Sequence, residues 1–396
     1  MLAYISRSLA AWHHRARRQA AVCLALARGR VAASPSQQPP PTLLLVVIGL
    51  IGDSILCTPA LAEARRLLPA AVIHVLTTSA NEQLFRDSGW ADAVHVYDGP
   101  AFPLRLAARR ALRGVVRTLR LARLDAAVIL LGDDFAPLLC RARIARRIGV
   151  AGTACDRLLT ATYDLGEVRT WGPGTRLNAL RCLGLQPRDQ QPSLPAALGS
   201  FVNLRARLRS LGAQGKPGYV LLHPFGATPN RTLPVAQAAA LADQLAARFE
   251  RQVLLIGGPR DRPQAEAIWT LCRRRSAVRS VAGHLSLSQT VALMEQAGAI
   301  ISTDSGPLHM AGALARPTVG LFRAIRPEYA RLYPTVTPLF WEQGPACLPG
   351  CTWDSWYGCT VSPCRQLAGI ANSRIVAAVQ ACLASAATKL LPVLAS

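Results

Sequence analysis

The sequence predicts an α/β protein made of two doubly wound parallel sheets, and three observations lead to this prediction. The chain has 396 residues, which exceeds the roughly 100–200 residues of one domain. Short apolar runs of strand length alternate with segments of helical spacing, which is typical of βαβ units. This alternation occurs twice, before and after the proline-containing stretch 186–200, so we expect two similar domains.

Four strands and three helices are predicted for the first half of the chain. The first strand is a continuous apolar run, as expected for a parallel strand that is covered on both faces. The predicted strands are 42–48, 72–76, 93–97 and 126–131. The predicted helices are 58–68, 81–88 and 104–124, the last of them rich in arginine.

The second half repeats the pattern. Its predicted strands are 219–223, 252–256, 299–302 and 318–321. Its predicted helices are 235–248, 265–273, 287–296, 307–314 and a final helix at 374–391. We therefore expect a tail and linker at 1–41, an N-terminal domain at 42–198 and a C-terminal domain at 199–396.

The charge balance is strongly basic. The chain has 45 Lys and Arg against 22 Asp and Glu, a formal net charge of +23, which favours acidic partners such as anionic lipid, nucleotides and phosphorylated sugars. The sequence contains no zinc-finger, homeodomain or RNA-recognition signature, so we do not expect a nucleic-acid partner.

The tail, residues 1–41, predicts contact with an anionic membrane surface. If residues 5–27 are helical, an apolar stripe that includes Ile5, Leu9 and Trp12 lies opposite several arginines, which is typical of an interfacial helix. A disordered basic leader and a wrongly assigned start remain alternatives. No apolar run is long enough to span a membrane, and no signal peptide is recognisable, so we expect a cytoplasmic protein, peripheral on the inner face of the cytoplasmic membrane.

Four of the eleven cysteines cluster near the C-terminus. Their spacing is C-x3-C-x7-C-x4-C, and pairs three or four residues apart fall within zinc-ligand spacing. A metal site, free or redox-active thiols and a disulfide all remain open. The four residues are Cys347, Cys351, Cys359 and Cys364.

The segment 303–311 is the strongest motif. It leaves an apolar strand and opens a helix that has Pro307 in its first turn. Free backbone N–H groups and the helix dipole make such a turn an anion site, in which Asp304 is expected to hold the backbone N–H groups in place. The alternative is that Asp304 or Ser305 merely caps the helix.

Two further segments also follow predicted strands. Segment 223–234 offers the hydroxyl of Thr228 and the guanidinium of Arg231, which suits bidentate contact with phosphate, although a solvated arginine is the alternative. Gly52 would allow a tight turn after the first strand, and Asp53 could then act as a general base, or simply cap a helix. The absence of G-x-G-x-x-G at this turn argues against a dehydrogenase.

Together these segments resemble the ADP-heptose:lipopolysaccharide heptosyltransferase family, glycosyltransferase family 9. The family's Gly-Asp turn and TPAL helix match Gly52-Asp53 and residues 58–61, and its next strand matches 68–76. Its "hPGa…KrWP" motif matches residues 223–234, and "DSGPxHxAaAl" matches 304–314. The resemblance extends from about residue 42 to 330.

The resemblance implies a GT-B fold, with two Rossmann-like domains facing a central cleft. It implies inverting transfer of a sugar, most simply from ADP-heptose, to a lipopolysaccharide-core or related glycolipid, with no required cofactor or metal. Asp53 then resembles the catalytic base, with Gly52 on the acceptor side. The residues that resemble the donor site are Thr228, Arg231, Asp261, Asp304, Ser305, Gly306 and His309.

Three positions depart from the family pattern. The arginine expected shortly before the Gly-Asp turn is absent, the Trp of "KrWP" is Leu233, and a glutamate near the nucleoside is Asp261. These departures leave two alternatives open. One is a transferase of the same fold with another donor, and the other is an inactive protein that binds a sugar nucleotide or a glycolipid.

Overall fold

The computed structural model divides into two compact units between Pro195 and Ala196. The described residues are 38–86, 88–102, 106–153, 155–164, 173–195, 198, 201–323, 330–341 and 361–390. The division lies three residues before the boundary proposed from the sequence. Each unit is an α/β layer structure built on one six-stranded sheet.

Unit 1 is built on a parallel sheet with the strand order β3-β2-β1-β4-β5-β6. The strands are β1 (Thr42–Val47), β2 (Val72–Thr77), β3 (Ala93–Val96), β4 (Ala126–Leu131), β5 (Arg146–Val150) and β6 (Ala161–Tyr163). The helices are α1 (Ile51–Ile55), α2 (Thr58–Leu67), α3 (Glu82–Arg86), α4 (Leu106–Leu121), α5 (Ala136–Arg141) and α6 (Pro173–Arg181).

The core of unit 1 lies on both faces of the two central strands. Leu43 to Val47 of β1 are fully buried, and so are Ala126 to Val128 of β4. This explains why β1 is apolar at every position rather than at alternate ones, since helices cover both of its faces. The register pairs Leu43 with Ile73 on one side and with Ala126 on the other.

Unit 2 repeats this plan with the strand order β12-β11-β10-β7-β8-β9, again parallel throughout. The strands are β7 (Val220–His223), β8 (Val253–Leu255), β9 (Val278–Ser280), β10 (Ala299–Thr303), β11 (Thr318–Leu321) and β12 (Val336–Leu339). The helices are α7 (Phe201–Ser210), α8 (Val235–Phe249), α9 (Arg262–Leu271), α10 (Leu287–Glu295), α11 (Gly306–Ala313), α12 (Arg365–Ala368) and α13 (Asn372–Leu390).

All eight predicted strands are present, each within about one residue of its predicted bounds. Four further strands were not predicted, namely β5, β6, β9 and β12, which lie toward the edges of the two sheets. Within the described part of the chain, no helix combines the length and the apolar character that crossing a membrane requires.

Candidate active site

Each sheet reverses its strand order between its two central strands. In unit 1 the reversal lies between β1 and β4, and in unit 2 it lies between β7 and β10. Ligands of doubly wound sheets bind at the carboxyl ends of the strands at such a reversal. The predicted site residues Asp53, Arg231 and Asp304 lie in loops or first helical turns that follow three of these strands, β1, β7 and β10.

Asp53 lies in the first turn of α1, directly after β1, and its side chain is partly exposed. A carboxylate in this position is stabilised by the positive end of the helix dipole. Gly52 lies inside α1 and is buried, so the tight turn after β1 is made by residues 48–50 and not by Gly52 as expected. Helix α1 begins at Ile51, so Gly52 and Asp53 both lie within the helix.

Asn81 fixes the turn that presents Asp53. Its side-chain amide donates to the carbonyl of Gly49 at 2.9 Å and to the hydroxyl of Ser54 at 2.8 Å. Asn81 and Ser54 are fully buried. A buried hydrogen-bonded pair favours one conformation of the turn, because any other conformation would leave buried polar groups without hydrogen bonds at a cost in free energy.

Arg176 of α6 is a buried cation that interacts with Asp53 in unit 1. Its side chain is buried, and its Nη1 donates to the carbonyl of Leu130 at the end of β4. The guanidinium also interacts electrostatically with Asp53 and Asp133. A buried arginine needs such acceptors and counter-charges, so Arg176 favours an ionised carboxylate at Asp53.

Burial also sets the state of the neighbouring thiol. It raises the pKa of Cys57 to about 11, although Arg176 acts in the opposite direction. The Cys57 Sγ donates to the carbonyl of Asp53 at 3.3 Å. The thiol is therefore protonated at neutral pH and serves to hold α1 rather than to act as a nucleophile.

In unit 2, the loop after β7 carries Thr228 and Arg231. The Thr228 hydroxyl donates to Asn230 Oδ1 at 2.5 Å, and Thr228 is exposed. The loop is closely packed, because a Cβ at Gly226 would lie 2.6 Å from the carbonyl oxygen of Arg231. The N–H of Gly226 donates to the Thr232 hydroxyl at 3.0 Å, which closes the loop.

Arg231 and Asp304 form an ion pair that joins the loops after β7 and β10. The Arg231 Nη2 donates to Asp304 Oδ2 at 2.8 Å and to the Asp304 carbonyl at 2.7 Å. Each side chain is 15% exposed. The expectation that Asp304 holds the backbone N–H groups of the turn is wrong, because its carboxylate binds the guanidinium that lies directly opposite.

The N-terminus of α11 opens beside this pair. Ser305 is its N-cap residue but makes no side-chain cap, because its hydroxyl is 3.1 Å from His223 Nδ1 and donates to the carbonyl of Thr303. Gly306 and Pro307 form the first turn. A helix start without a side-chain cap, next to an arginine, is a suitable place for a phosphate.

His223, the last residue of β7, connects three strand ends. Its Nδ1 faces the hydroxyls of Ser302 at 3.4 Å and Ser305 at 3.1 Å, and its Nε2 lies 3.9 Å from Asp261 Oδ2. Burial lowers the pKa of His223 to about 3, so the ring is neutral and the contact with Asp261 is not an ion pair at neutral pH. The sequence motif that begins with His223 contained this residue, but its role was not recognised.

Asp261 lies directly after β8, in the loop that leads to α9. Its Oδ2 accepts a hydrogen bond from the N–H of Gly258 at 2.8 Å. Partial burial raises the pKa of Asp261, an effect that the Gly258 hydrogen bond opposes. A Cβ at Gly257 would lie 2.8 Å from the Asp261 carboxylate, so this glycine allows the carboxylate to fold back against the loop.

His309 supports the site from inside the protein. It is 4% exposed, its Nδ1 is 3.1 Å from the Tyr333 hydroxyl, and its Nε2 lies 4.0 Å from Asp304 Oδ1. Burial raises the pKa of Tyr333, which therefore stays protonated and can donate to His309. The histidine lies behind Asp304 instead of facing a bound ligand directly.

The structure therefore brings together most of the predicted donor residues of unit 2. Thr228 is in the same loop as Arg231, but its hydroxyl is bound to Asn230. The described residues contain no group of three or more His, Cys, Asp or Glu side chains that could hold a metal ion. Of the cysteine cluster only Cys364, which is buried, lies among them; the other three cysteines and the tail at 1–37 lie outside the described residues.

A comparison with family models identifies the domain of unit 2. Residues 182–347 match the model for glycosyltransferase family 9 (heptosyltransferase). This range contains all six strands of unit 2, together with Arg231, Asp261 and Asp304. This part of the chain is thus similar to glycosyltransferase family 9, which confirms the resemblance seen in the sequence over these residues.

Two curated proteins are similar over a shorter stretch. Lipopolysaccharide heptosyltransferase 2 of Salmonella typhimurium is 33% identical over 103 residues, which are 26% of this chain and 29% of the relative. Lipopolysaccharide heptosyltransferase 2 of Escherichia coli gives the same values. The chain therefore matches less than a third of the length of these relatives.

Solved structures resemble the chain over most of its length. The E. coli ADP-heptose lipopolysaccharide heptosyltransferase II covers 87% of this chain and 99% of its own, with a TM-score of 0.68 and 20% identity. A family 9 glycosyltransferase from Veillonella parvula covers 87% and 97%, with a TM-score of 0.69 and 18% identity. E. coli WaaC with ADP-2-deoxy-2-fluoro heptose covers 84% and 97%, with a TM-score of 0.61 and 15% identity. These likenesses confirm the predicted α/β fold class, that of the GT-B heptosyltransferases.

Proposed function

We propose that the chain is an inverting glycosyltransferase that moves a sugar from a nucleotide-diphosphate sugar to a lipopolysaccharide-core or related glycolipid. The donor is most simply ADP-heptose. One observation carries the proposal: the Arg231–Asp304 pair joins the loops after the two central strands of a family 9 domain, beside the uncapped start of α11.

In this proposal, unit 2 binds the donor. The guanidinium of Arg231 and the backbone N–H groups at Ser305 and Gly306 bind the diphosphate, and Thr228 offers a further hydroxyl. Asp304 keeps Arg231 in position, with His309 behind it. Asp261, held after β8, contacts the nucleoside.

Asp53 of unit 1 supplies the base for the same reaction. It takes the proton of the acceptor hydroxyl while that oxygen attacks the anomeric carbon from the face opposite the diphosphate. The new C–O bond forms as the bond from the anomeric carbon to the phosphate oxygen breaks, which inverts the configuration. The departing diphosphate gains negative charge, and Arg231 and the helix start stabilise it more as the bond breaks.

The proposed enzyme needs no metal ion or cofactor. Arg231 and the backbone N–H groups at the start of α11 stabilise the negative charge on the leaving diphosphate. These groups can supply the stabilisation that a divalent cation supplies in other enzymes. Of the cysteine cluster, the described residue Cys364 is a free, buried thiol.

We also propose that the protein acts on the cytoplasmic face of the inner membrane. A glycolipid acceptor is held in a bilayer, and the net charge of +23 favours an anionic surface. The tail at 1–41 is expected to contribute, so its removal should reduce sedimentation with anionic liposomes. Unchanged sedimentation would contradict a role for the tail.

A panel of donors tests the proposed function. Purified protein is incubated with a lipid A–core acceptor and with ADP-heptose, UDP-sugars or GDP-sugars, and the product is weighed by mass spectrometry. The proposal predicts an added heptose and release of ADP. Transfer from another nucleotide sugar would indicate a different donor, and nucleotide binding without any transfer would indicate a binding protein.

A further inference from the structure

Helix α4 (Leu106–Leu121) of unit 1 presents a continuous face of arginine to solvent. Arg110, Arg113, Arg117 and Arg120 follow one another at intervals of three or four residues, so they lie on one stripe of the helix. All four are exposed. Over its 16 residues the helix is about 24 Å long.

A second side of α4 is anchored in the core of unit 1. Leu112, Val116 and Leu119 are buried and pack in the same cluster as the strand residues Leu44 and Ile129. The helix therefore cannot rotate to hide its arginine stripe. The stripe is a fixed surface of the folded unit.

Two large apolar side chains lie on the same stripe. Leu106, four residues before Arg110, is 68% exposed, and Leu121, four residues after Arg117, is 75% exposed. Few large apolar residues among those described are exposed to this degree. The stripe is thus basic along its length and apolar at both ends.

Among the residues that the structure describes, no ion pair balances the charge of this stripe. Helix α4 has no acidic residue, and none of the ion pairs formed by described residues includes the four arginines. Helix α2 differs, because its Arg65 and Arg66 pair with Asp92 and Glu63.

The basic surface extends beyond the helix. Arg120 Nε donates to the carbonyl of Arg141 at 2.6 Å, and the side chains of Arg123, Arg141 and Arg143 are exposed. A field of one sign on this scale attracts an extended anionic surface rather than a single small anion.

We propose that the outer face of α4 is a docking surface for an anionic lipid bilayer, on which the helix lies flat. The arginines contact lipid phosphates, and Leu106 and Leu121 enter the boundary between headgroups and acyl chains. A nucleic acid would satisfy the arginines but would offer no apolar phase to the two leucines, so the lipid surface fits better. The purpose of this surface rests on the proposed function: docking would bring unit 1 to an acceptor that is held in the membrane.

Vesicle sedimentation of the full chain tests the proposal. The vesicles are phosphatidylcholine with about 30% phosphatidylglycerol, and pure phosphatidylcholine serves as the uncharged reference. The variant replaces Arg110, Arg113, Arg117 and Arg120 with Gln. A control replaces four exposed arginines of unit 2, Arg209, Arg273, Arg274 and Arg365, with Gln and so has the same net charge.

The α4 variant is expected to bind anionic vesicles on the order of 10²–10³-fold more weakly, because each arginine near such a surface strengthens binding severalfold. The unit 2 control should stay close to the wild type. A second variant, Leu106→Ala with Leu121→Ala, keeps the charge and should lose binding severalfold, with most of the difference remaining at high salt. Equal vesicle binding by the α4 variant and its control would overturn the proposal.

Two further measurements distinguish the proposed lipid-docking surface from a nucleic-acid surface and from a failure of the proposed function. A single-stranded oligonucleotide is used as a non-lipid polyanion; if the α4 variant loses oligonucleotide binding but keeps vesicle binding, the surface is for nucleic acid and the proposal fails. Transfer to a deacylated, water-soluble acceptor is also measured. The α4 variant should keep this activity, so a loss of vesicle binding alone supports the docking surface, whereas absence of transfer in the wild type would contradict the proposed function instead.

Discussion

In the proposed reaction, the charge of Arg231 meets the donor diphosphate before and during bond cleavage, so replacing Arg231 should affect both donor binding and turnover. Arg231→Ala is expected to weaken ADP binding and to lower turnover, each by about 10–100-fold, the range for a hydrogen bond to a charged group. Calorimetric titration of ADP beside a turnover assay measures both effects. The control Arg209→Ala, on the exposed side of α7, should change neither.

Arg176 is expected to act through Asp53. Since its guanidinium favours the ionised carboxylate, Arg176→Gln should lower turnover and move the acid limb of the pH–rate profile to higher pH. Arg176→Lys retains the charge and should restore part of the profile, with circular dichroism verifying that each variant is folded. An acid limb that stays in place in the Gln variant would show that Arg176 is structural only.

His223 makes the stability of the protein sensitive to acid. Its folded-state pKa of about 3 is below the ordinary value of 6.5, so the unfolded chain takes up the proton first as the pH falls. The stabilisation is therefore complete above about pH 6.5 and is lost progressively between about pH 6.5 and 3. Lowering the pH from about 7.5 to 5 should reduce the free energy of unfolding by about 2 kcal/mol more in the wild type than in His223→Gln, as measured by urea denaturation. Equal losses in the two proteins would show that the His223 pKa is not depressed.

The sequence indicated candidate site residues only where a motif was local. Asp53 and Arg231 stand beside glycines and prolines that mark loops after strands. Arg176 lies more than 120 residues along the chain from Asp53, and nothing in its own segment indicates that it interacts with Asp53. For the same reason, the sequence led us to expect that Asp304 holds backbone N–H groups in place. The partner of its carboxylate is Arg231, which lies 73 residues away along the chain.

At the level of elements, apolar content decided which strands could be predicted. The central strands are covered on both faces and form unbroken apolar runs. The missed strands carry polar residues or proline: Arg146–Val150 is largely buried but begins with two arginines, Val278–Ser280 contains Arg279, and Val336–Leu339 contains Pro338. Such segments have no periodicity that separates them from loops.

Helix α11 offers a stability test at the element level. A Cβ at Gly312 would lie within 2.6 Å of three atoms of the Tyr333 ring, so Gly312→Ala should push this ring away from His309 and cost about 1–3 kcal/mol. Gly114→Ala in α4 has no atom within 4 Å and should stabilise the protein by about 0.5–1 kcal/mol, because alanine favours helix. Thermal denaturation compares the two. A Gly312→Ala protein as stable as the wild type would contradict the tight packing of α11 against Tyr333.

For the whole molecule, the two units repeat one strand order but differ in the chemistry at their strand ends. Unit 1 presents an acid, Asp53, beside a buried cation, whereas unit 2 presents Arg231 at the start of a helix. This division matches a base for the acceptor and an anion site for the donor. The doubled alternation in the sequence predicted two such units, and the carboxyl-end rule predicts which edge of each unit carries the proposed site residues.

The most direct measurement compares the wild type with Asp53→Asn in transfer of heptose from ADP-heptose to a lipid A–core acceptor, scored by product mass, beside the affinity for ADP. Asparagine keeps the shape of the side chain but removes the base. The proposed mechanism predicts a loss of turnover of about 10²–10⁴-fold, the usual contribution of a general base, with ADP affinity nearly unchanged. Wild-type turnover by Asp53→Asn would contradict the assignment of Asp53 as the base and with it the proposed mechanism.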